Sequence, residues 1–145
     1  MLDDLYQEVI LDHSKHPRNF HQMEDANRTA EGYNPLCGDK LRLFLKMDGE
    51  VVEDASFVGA GCAISTASAS LMTESLKGKT RAEAEIIIER FHDLLTKDTP
   101  VSKELGKLAV FCGVREFPVR VKCATLAWHT ARSALQNREE VATTE

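Results

Sequence analysis

Three short segments carry side chains able to ligate a metal or perform thiol chemistry: Cys37 and Asp39 in Asn34-Pro35-Leu36-Cys37-Gly38-Asp39, Cys62 in Gly59-Ala60-Gly61-Cys62-Ala63, and Cys123 after Arg120-Val121-Lys122. Pro35 and Gly38 enclose Cys37 in a tight loop, and a carboxylate two positions on can point with it at one ion. The same loop is also what a buried cysteine looks like when the aspartate merely caps its own turn. Cys62 is expected at a helix start, where free N–H groups and the helix dipole stabilise a thiolate. Cys123 is read the same way, directly after an extended segment. Packing cysteines favour helix faces and strand interiors, so two helix-start cysteines and a loop cysteine beside an acid point to chemistry.

Cys37, Asp39, Cys62 and Cys123 together suit tetrahedral zinc, which accepts both thiolate and carboxylate. They suit an iron–sulfur cluster as well. All four must lose protons to bind, so affinity should fall in acid. The fourth cysteine, Cys112, shares a helical stripe with Leu105 and Leu108 and reads as core, with a local redox role as its alternative. His13, His16, His21, His92 and His129 fall at no clear ligand spacing and read as surface or packing residues, His92 on the exposed side of its helix.

The elements that must hold these residues follow from periodicity. Leu2, Leu5, Tyr6, Val9 and Ile10 give an amphipathic helix over residues 2–13, stopped at His16-Pro17. A polar loop runs to about Asn27, and a short strand is expected over 28–34. Leu41, Leu43, Leu45 and Met47 alternate with Lys40, Arg42, Phe44 and Lys46 as a strand with one buried face. Asp48-Gly49 predicts a hairpin turn with both central residues at positive φ, returning as a strand over 51–58. Residues 63–76 form a helix rich in small residues. Thr80 and Glu83 make a capping box for the next, whose apolar face is Ala84, Ile87, Ile88, Phe91, Leu94 and Leu95. A further helix is expected from Ser102 to Cys112, ended by Gly113, then an extended stretch 116–122 held open by Pro118, then a last helix from Cys123 to about Arg138. The expected fold is α+β: a small three-stranded antiparallel sheet packed on one face by about five helices, in one domain over residues 1–145.

Composition narrows the function classes. The chain has 145 residues, a formal net charge of −5, 43% apolar and 28% charged residues, the profile of an ordinary globular domain. Net acidity argues against a nucleic-acid partner, and the small cluster Arg115, Arg120, Lys122 has no aromatic residues interleaved to stack bases. No apolar run is long enough for a bilayer, so no membrane association is expected. The acidic N-terminus does not read as a signal peptide, and a cytoplasmic location is the expectation. Four cysteines in such a chain suggest metal or catalysis before disulfides.

The segments NPLCGD, GAGCAIS and RVKCATLAW, in this order, resemble the U-type iron–sulfur assembly proteins, the IscU/SufU/NifU N-terminal family; the resemblance extends from LYQEVILDHSKHPRNF to the last helix. Lys122, where a histidine precedes the third cysteine in the scaffold branch, and the long stretch between Cys62 and Cys123 resemble the SufU branch. That resemblance implies a zinc-dependent sulfurtransferase that accepts persulfide sulfur from the cysteine desulfurase SufS and passes it on, with a downstream SUF scaffold complex as a further partner. Cys37 would take the sulfur, while Asp39, Cys62 and Cys123 hold the zinc. The desulfurase would supply a histidine to the metal and free Cys37. Arg120, in the FPVRVKC segment, would support the site or meet the partner, or simply form a surface ion pair. The alternatives are a scaffold that builds and transfers a two-iron two-sulfur cluster on the same residues, and a structural zinc domain that never carries sulfur.

Overall fold

The computed structural model describes residues 2–97, 103–137 and 142–143, with side chains of 2–6, 103–104 and 143 left aside. Helix α1 (Leu2–Lys15) precedes strands β1 (Arg28–Asn34), β2 (Asp39–Asp48) and β3 (Val51–Ala60). Helices α2 (Ala63–Leu76) and α3 (Arg81–Thr96), a 3₁₀ segment (Lys103–Glu116), helix α4 (Pro118–Leu135) and the two-residue strand β4 (Ala142–Thr143) follow. The strand order is β3-β2-β1-β4: the expected three antiparallel strands, with β4 added parallel to β1 through Gly32 and Tyr33.

Alternation along β2 sends Leu41, Leu43 and Leu45 inward, where they join Ala30, Ala55 and Phe57 beneath α2 and α4. Phe44 lies on the outward register but is only 7% exposed, covered in part by Arg42, whose guanidinium sits 5.8 Å from the ring centroid. The β2–β3 hairpin turns at Gly49-Glu50, one residue later than Asp48-Gly49. Only Gly49 has positive φ (61°), so the turn is of the kind that needs a left-handed residue at its first central position alone. Strand β3 also runs two residues past the expected end, pairing Gly59 with Leu41 and Ala60 with Lys40.

Small residues let α2 approach α4. Ala67, Ser68 and Ala69 on α2 and Ala124, Ala127 and Ala131 on α4 are all buried, and the Ser68 hydroxyl donates to the Ala124 carbonyl at 2.5 Å. Trp128 stacks on Phe91 (4.3 Å between centroids), and its indole N–H donates to Ser68 Oγ at 2.9 Å, so its polar atom is satisfied inside the core. The capping box of α3 forms as expected, with Thr80 Oγ1 accepting from Glu83 N and Glu83 Oε1 from Thr80 N.

Two expected helices differ. In place of a helix ending at Gly113, residues 103–116 form 3₁₀ structure broken at Gly106, whose φ of 51° suits glycine, and Gly113 lies inside it. Ser102 lies outside the described residues. The last helix starts at Pro118, five residues before the expected Cys123, and is described to Leu135; Arg138 lies outside the described residues. Proline tolerates both an extended chain and the first helical position, where its missing N–H is not needed. Phe117 before it is extended (φ −121°, ψ 93°), as a pre-proline residue should be.

Candidate metal centre

The β1–β2 pairing ends at Asn34 opposite Asp39, which leaves Pro35, Leu36, Cys37 and Gly38 as a four-residue loop. Gly38 N donates to Asn34 O at 2.8 Å, and Gly38 takes φ 73° to close the loop. Cys37 is exposed on it, whereas Asp39, the first residue of β2, is fully buried. On the other side, the Lys40–Ala60 pairing carries β3 past β2, so Gly61-Cys62 emerges beside Asp39. The Cys62 N–H donates to Asp39 Oδ1 at 2.9 Å. A Cβ on Gly61 would meet that oxygen at 2.7 Å, so the carboxylate sits in a notch that only glycine leaves open.

Cys62 is the N-cap of α2, as expected, with its Sγ accepting from Ser65 N at 3.4 Å. Cys123 is not at a helix start. It lies in the second turn of α4 and is 3% exposed, with its sulfur facing the hairpin loop. Its Sγ is 3.3 Å from Cys37 Sγ, and the Asn34 amide reaches it at 3.5 Å. Burial first, then hydrogen bonding with Cys37, Asp39 and Cys62, pushes the Cys123 thiol well above the ordinary cysteine range. In the second turn Cys123 lies away from the helix start, so the dipole stabilisation expected from sequence is reduced there, and burial acts against the thiolate.

One donor atom each from Cys37, Asp39 and Cys123 lies within 4.8 Å of the others, a group able to hold a metal ion. Cys62 lies outside that triplet, although it is near enough to raise the Cys123 pKa. Two thiols and a carboxylate on a shared point fit zinc, and the glycine notch and buried acid are features that an ordinary core would not need. Cys112 is half-buried against the core, as expected.

Of the remaining residues considered from sequence, His13 is buried with Nδ1 2.7 Å from Ser70 Oγ, a packing role. His92 is half-buried rather than exposed, its ring 5.7 Å from that of His129. The Arg120 guanidinium lies 4.7 Å from the Phe117 ring centroid, so its contact is with an aromatic face rather than a surface acid. The residue that sequence reasoning missed is Asn34. Its signal was the Asn-Pro step that opens the loop, which marks a turn but says nothing of what the amide faces.

Residues 5–141 match the family model described as NifU-like N terminal domain. The chain therefore belongs to the NifU-like N-terminal domain family, and it matches IscU and SufU proteins over most of its length. It is 44% identical over 139 residues to the zinc-dependent sulfurtransferase SufU of Bacillus subtilis (strain 168), covering 95% of this chain and 94% of that one. It is 40% identical over 136 residues to the iron–sulfur cluster assembly scaffold protein IscU of Streptococcus pyogenes serotype M1, covering 93% and 85%. A crystal structure from Fervidobacterium islandicum AW-1, described as a candidate scaffold protein for the SUF system, superposes with a TM-score of 0.85 at 37% identity, covering 88% of this chain and 94% of that chain. A NifU-like N-terminal structure from Brucella abortus gives 0.84 at 24% identity and shares the fold. Among the described residues no helix is long and apolar enough to cross a membrane.

Proposed function

We propose that this chain is a zinc-dependent sulfurtransferase that accepts persulfide sulfur from the cysteine desulfurase SufS and hands it on for iron–sulfur cluster assembly, with Cys37 as acceptor and Cys37, Asp39, Cys62 and Cys123 as zinc ligands. The observation that carries the reading is the pairing of an exposed loop cysteine with a buried one and a buried acid at a single point. The similarity to a zinc-dependent sulfurtransferase over 95% of the chain supports it.

Bound zinc would keep the thiols deprotonated at neutral pH and hold the loop closed until a partner docks. Cys37 does the transfer. Its thiolate attacks the outer sulfur of the partner's cysteine persulfide, a new S–S bond forms on Cys37, and the old S–S bond breaks to release the partner's thiolate. No oxidant or reductant is consumed. The exposed loop lets Cys37 reach out, while Asp39 and Cys123 are held by β2 and α4. Leu36, Phe117 and Val119, all exposed near this end of the molecule, give a docking partner apolar surface to cover.

Incubation of the zinc-loaded protein with SufS and cysteine, followed by peptide mass spectrometry, should place one added sulfur on the Cys37 peptide. Sulfur acceptance that survives Cys37→Ser would overturn the assignment. The second reading, a scaffold for a two-iron two-sulfur cluster, draws on the 40% identity to an IscU and on the affinity of thiolates for iron. Anaerobic reconstitution with iron and sulfide, read by visible absorption and by transfer to an apo-acceptor, favours it only if a stable cluster forms and moves.

A further inference from the structure

The buried amide of Asn34 stands at the centre of the site and has no part in the chemistry above. It is fully buried. Its Nδ2 lies 3.2 Å from Asp39 Oδ2 and 3.5 Å from Cys123 Sγ. Its Oδ1 accepts from Leu36 N at 3.2 Å, and its backbone carbonyl accepts from Gly38 N at 2.8 Å. These partners fix the amide's orientation, because a flipped side chain would set its oxygen against the carboxylate and its NH₂ against the Leu36 N–H.

Protein N–H groups are shared unequally among the proposed ligands. Asp39 receives Cys62 N on one oxygen and Asn34 Nδ2 on the other. Cys62 Sγ receives Ser65 N, and Cys123 Sγ receives Asn34 Nδ2. Among the described contacts, the hydrogen-bond partner of Cys37 Sγ is the Cys123 sulfur. A donor to a ligating thiolate or carboxylate holds it in place and lowers its readiness to leave or react, and such supporting partners change metal affinity about 10–100-fold.

Building on the sulfur-acceptor reading, we propose that Asn34 is a positioning residue: its amide fixes Asp39 and Cys123 as the permanent ligands and so leaves Cys37 as the one that can be released. The same residue pins the loop on which Cys37 moves, through Leu36 N and Gly38 N. Loop pinning alone is the simpler role, and the two separate chemically. Asn34→Asp keeps an oxygen for Leu36 N and nearly the same volume, but replaces the donor facing Asp39 and Cys123 with an acceptor. Asn34→Ala removes the donor and the acceptor for Leu36 N without adding charge, while the backbone bond from Gly38 N to residue 34 stays.

The test uses the full chain loaded with cobalt(II) or zinc. Relative to wild type, both variants should bind cobalt with the sulfur-to-cobalt charge-transfer band moved to lower energy. Both should lose zinc to a chromophoric chelator at least about tenfold more readily. In zinc-loaded wild type, N-ethylmaleimide followed by peptide mass spectrometry should modify Cys37 before Cys62 and Cys123; in the variants Cys123 should react early. A loop-pinning role alone leaves the Asn34→Asp band where it is in wild type. If Asn34→Asp does not fold, Asn34→Ala is read against Leu36→Pro, which removes the N–H on Asn34 Oδ1 and keeps the amide donor. A band shifted in Asn34→Ala but not in Leu36→Pro supports the proposal, and equal shifts in both overturn it. Wild-type band energy and zinc retention in the folded variants would overturn the proposal and leave the sulfur-acceptor reading intact. Absence of sulfur on Cys37 of the wild type would overturn that reading and leave the spectral result to be judged separately.

Discussion

The thiol of Cys37 meets that of Cys123 at 3.3 Å, although one belongs to an exposed hairpin loop and the other is 3% exposed within a helix. Residues 86 apart in sequence thus meet sulfur to sulfur, with the exposed partner on the solvent side. A disulfide needs ~2.05 Å between sulfurs, so closing the gap takes about 1 Å of movement in the exposed loop that Gly38 closes at φ 73°. Metal-free protein treated with diamide should therefore form a Cys37–Cys123 cross-link, the two thiols giving up two protons and two electrons to the diamide. Zinc-loaded protein should resist it. Peptide mapping without reduction checks this, and a cross-link made chiefly to Cys62 would contradict the geometry.

The glycine notch makes a sharper demand. In Gly61→Ala the new methyl would press on Asp39 Oδ1 at 2.7 Å, a contact that must push the carboxylate off its hydrogen bond from Cys62 N. Overpacking of this kind costs about 1–3 kcal/mol. The expected outcome is a folded protein with a lower urea midpoint and zinc retention reduced about tenfold or more, on the scale seen when a ligand's supporting contact is lost. Metal content after dialysis and denaturant titration give the two readouts. Full zinc occupancy against a competing chelator would show that Asp39 is not held there for the metal.

Much of this was legible in the sequence because the signals are local. Thr80 and Glu83 announce a helix start within four residues, and the alternation from Lys40 to Met47 fixes which face of β2 is buried. Cys62 is a helix N-cap because the strand β3 and the helix pattern from Ala63 leave it nowhere else to be. Cys123 was misplaced because Pro118 is compatible with an extended chain and with a first helical turn. Packing of Ala124, Ala127, Trp128 and Ala131 decides between the two, and packing has no local signature. Gly113 was expected to end the helix before it, but the break falls at Gly106, which sits at φ 51°, and a glycine's type alone does not say which of its conformations the fold uses. The convergence of Asn34, Asp39 and Cys123 depends on strand register and on α4 lying across β1, where Gly32 lets Thr130 and Leu126 come close. Strand β4 has two residues and a partner far away in sequence, which is too little for any periodicity to reveal.

Stability should decline in mild acid through His13. Its imidazole is buried between α1 and α2, with Nδ1 on Ser70 Oγ and Nε2 3.6 Å from Glu74. Burial lowers its pKa, helped by Arg18 and Lys107 and opposed by Glu74 and Asp12. His129 moves the same way, through burial and the neighbouring His92 and Arg132. For such groups the unfolded chain takes up a proton near 6.5 before the folded one does. Their contribution is present above that pH and is lost as pH falls below it, at no more than about 1.4 kcal/mol per pH unit for each group. Urea midpoints should drop between pH 7 and pH 5, with a smaller drop in His13→Gln. An equal slope in that variant would remove His13 from the account.

Cys112 supplies the control for everything assigned to the other three cysteines. It lies half-buried in the 3₁₀ segment, packed against the core, and takes no part in the group formed by Cys37, Asp39 and Cys123. As a small apolar filler it should matter to packing and to little else. Cys112→Ser should cost about 1 kcal/mol of stability, the usual scale for a modest change at a partly buried position. Zinc content, the amount of sulfur accepted from the desulfurase and the Cys37-first order of alkylation should all match wild type. A stability loss with those three readouts preserved is the signature of a core residue. Loss of sulfur acceptance in a folded Cys112→Ser would instead give this thiol a place in the relay, and Cys37 would no longer suffice as the sole acceptor.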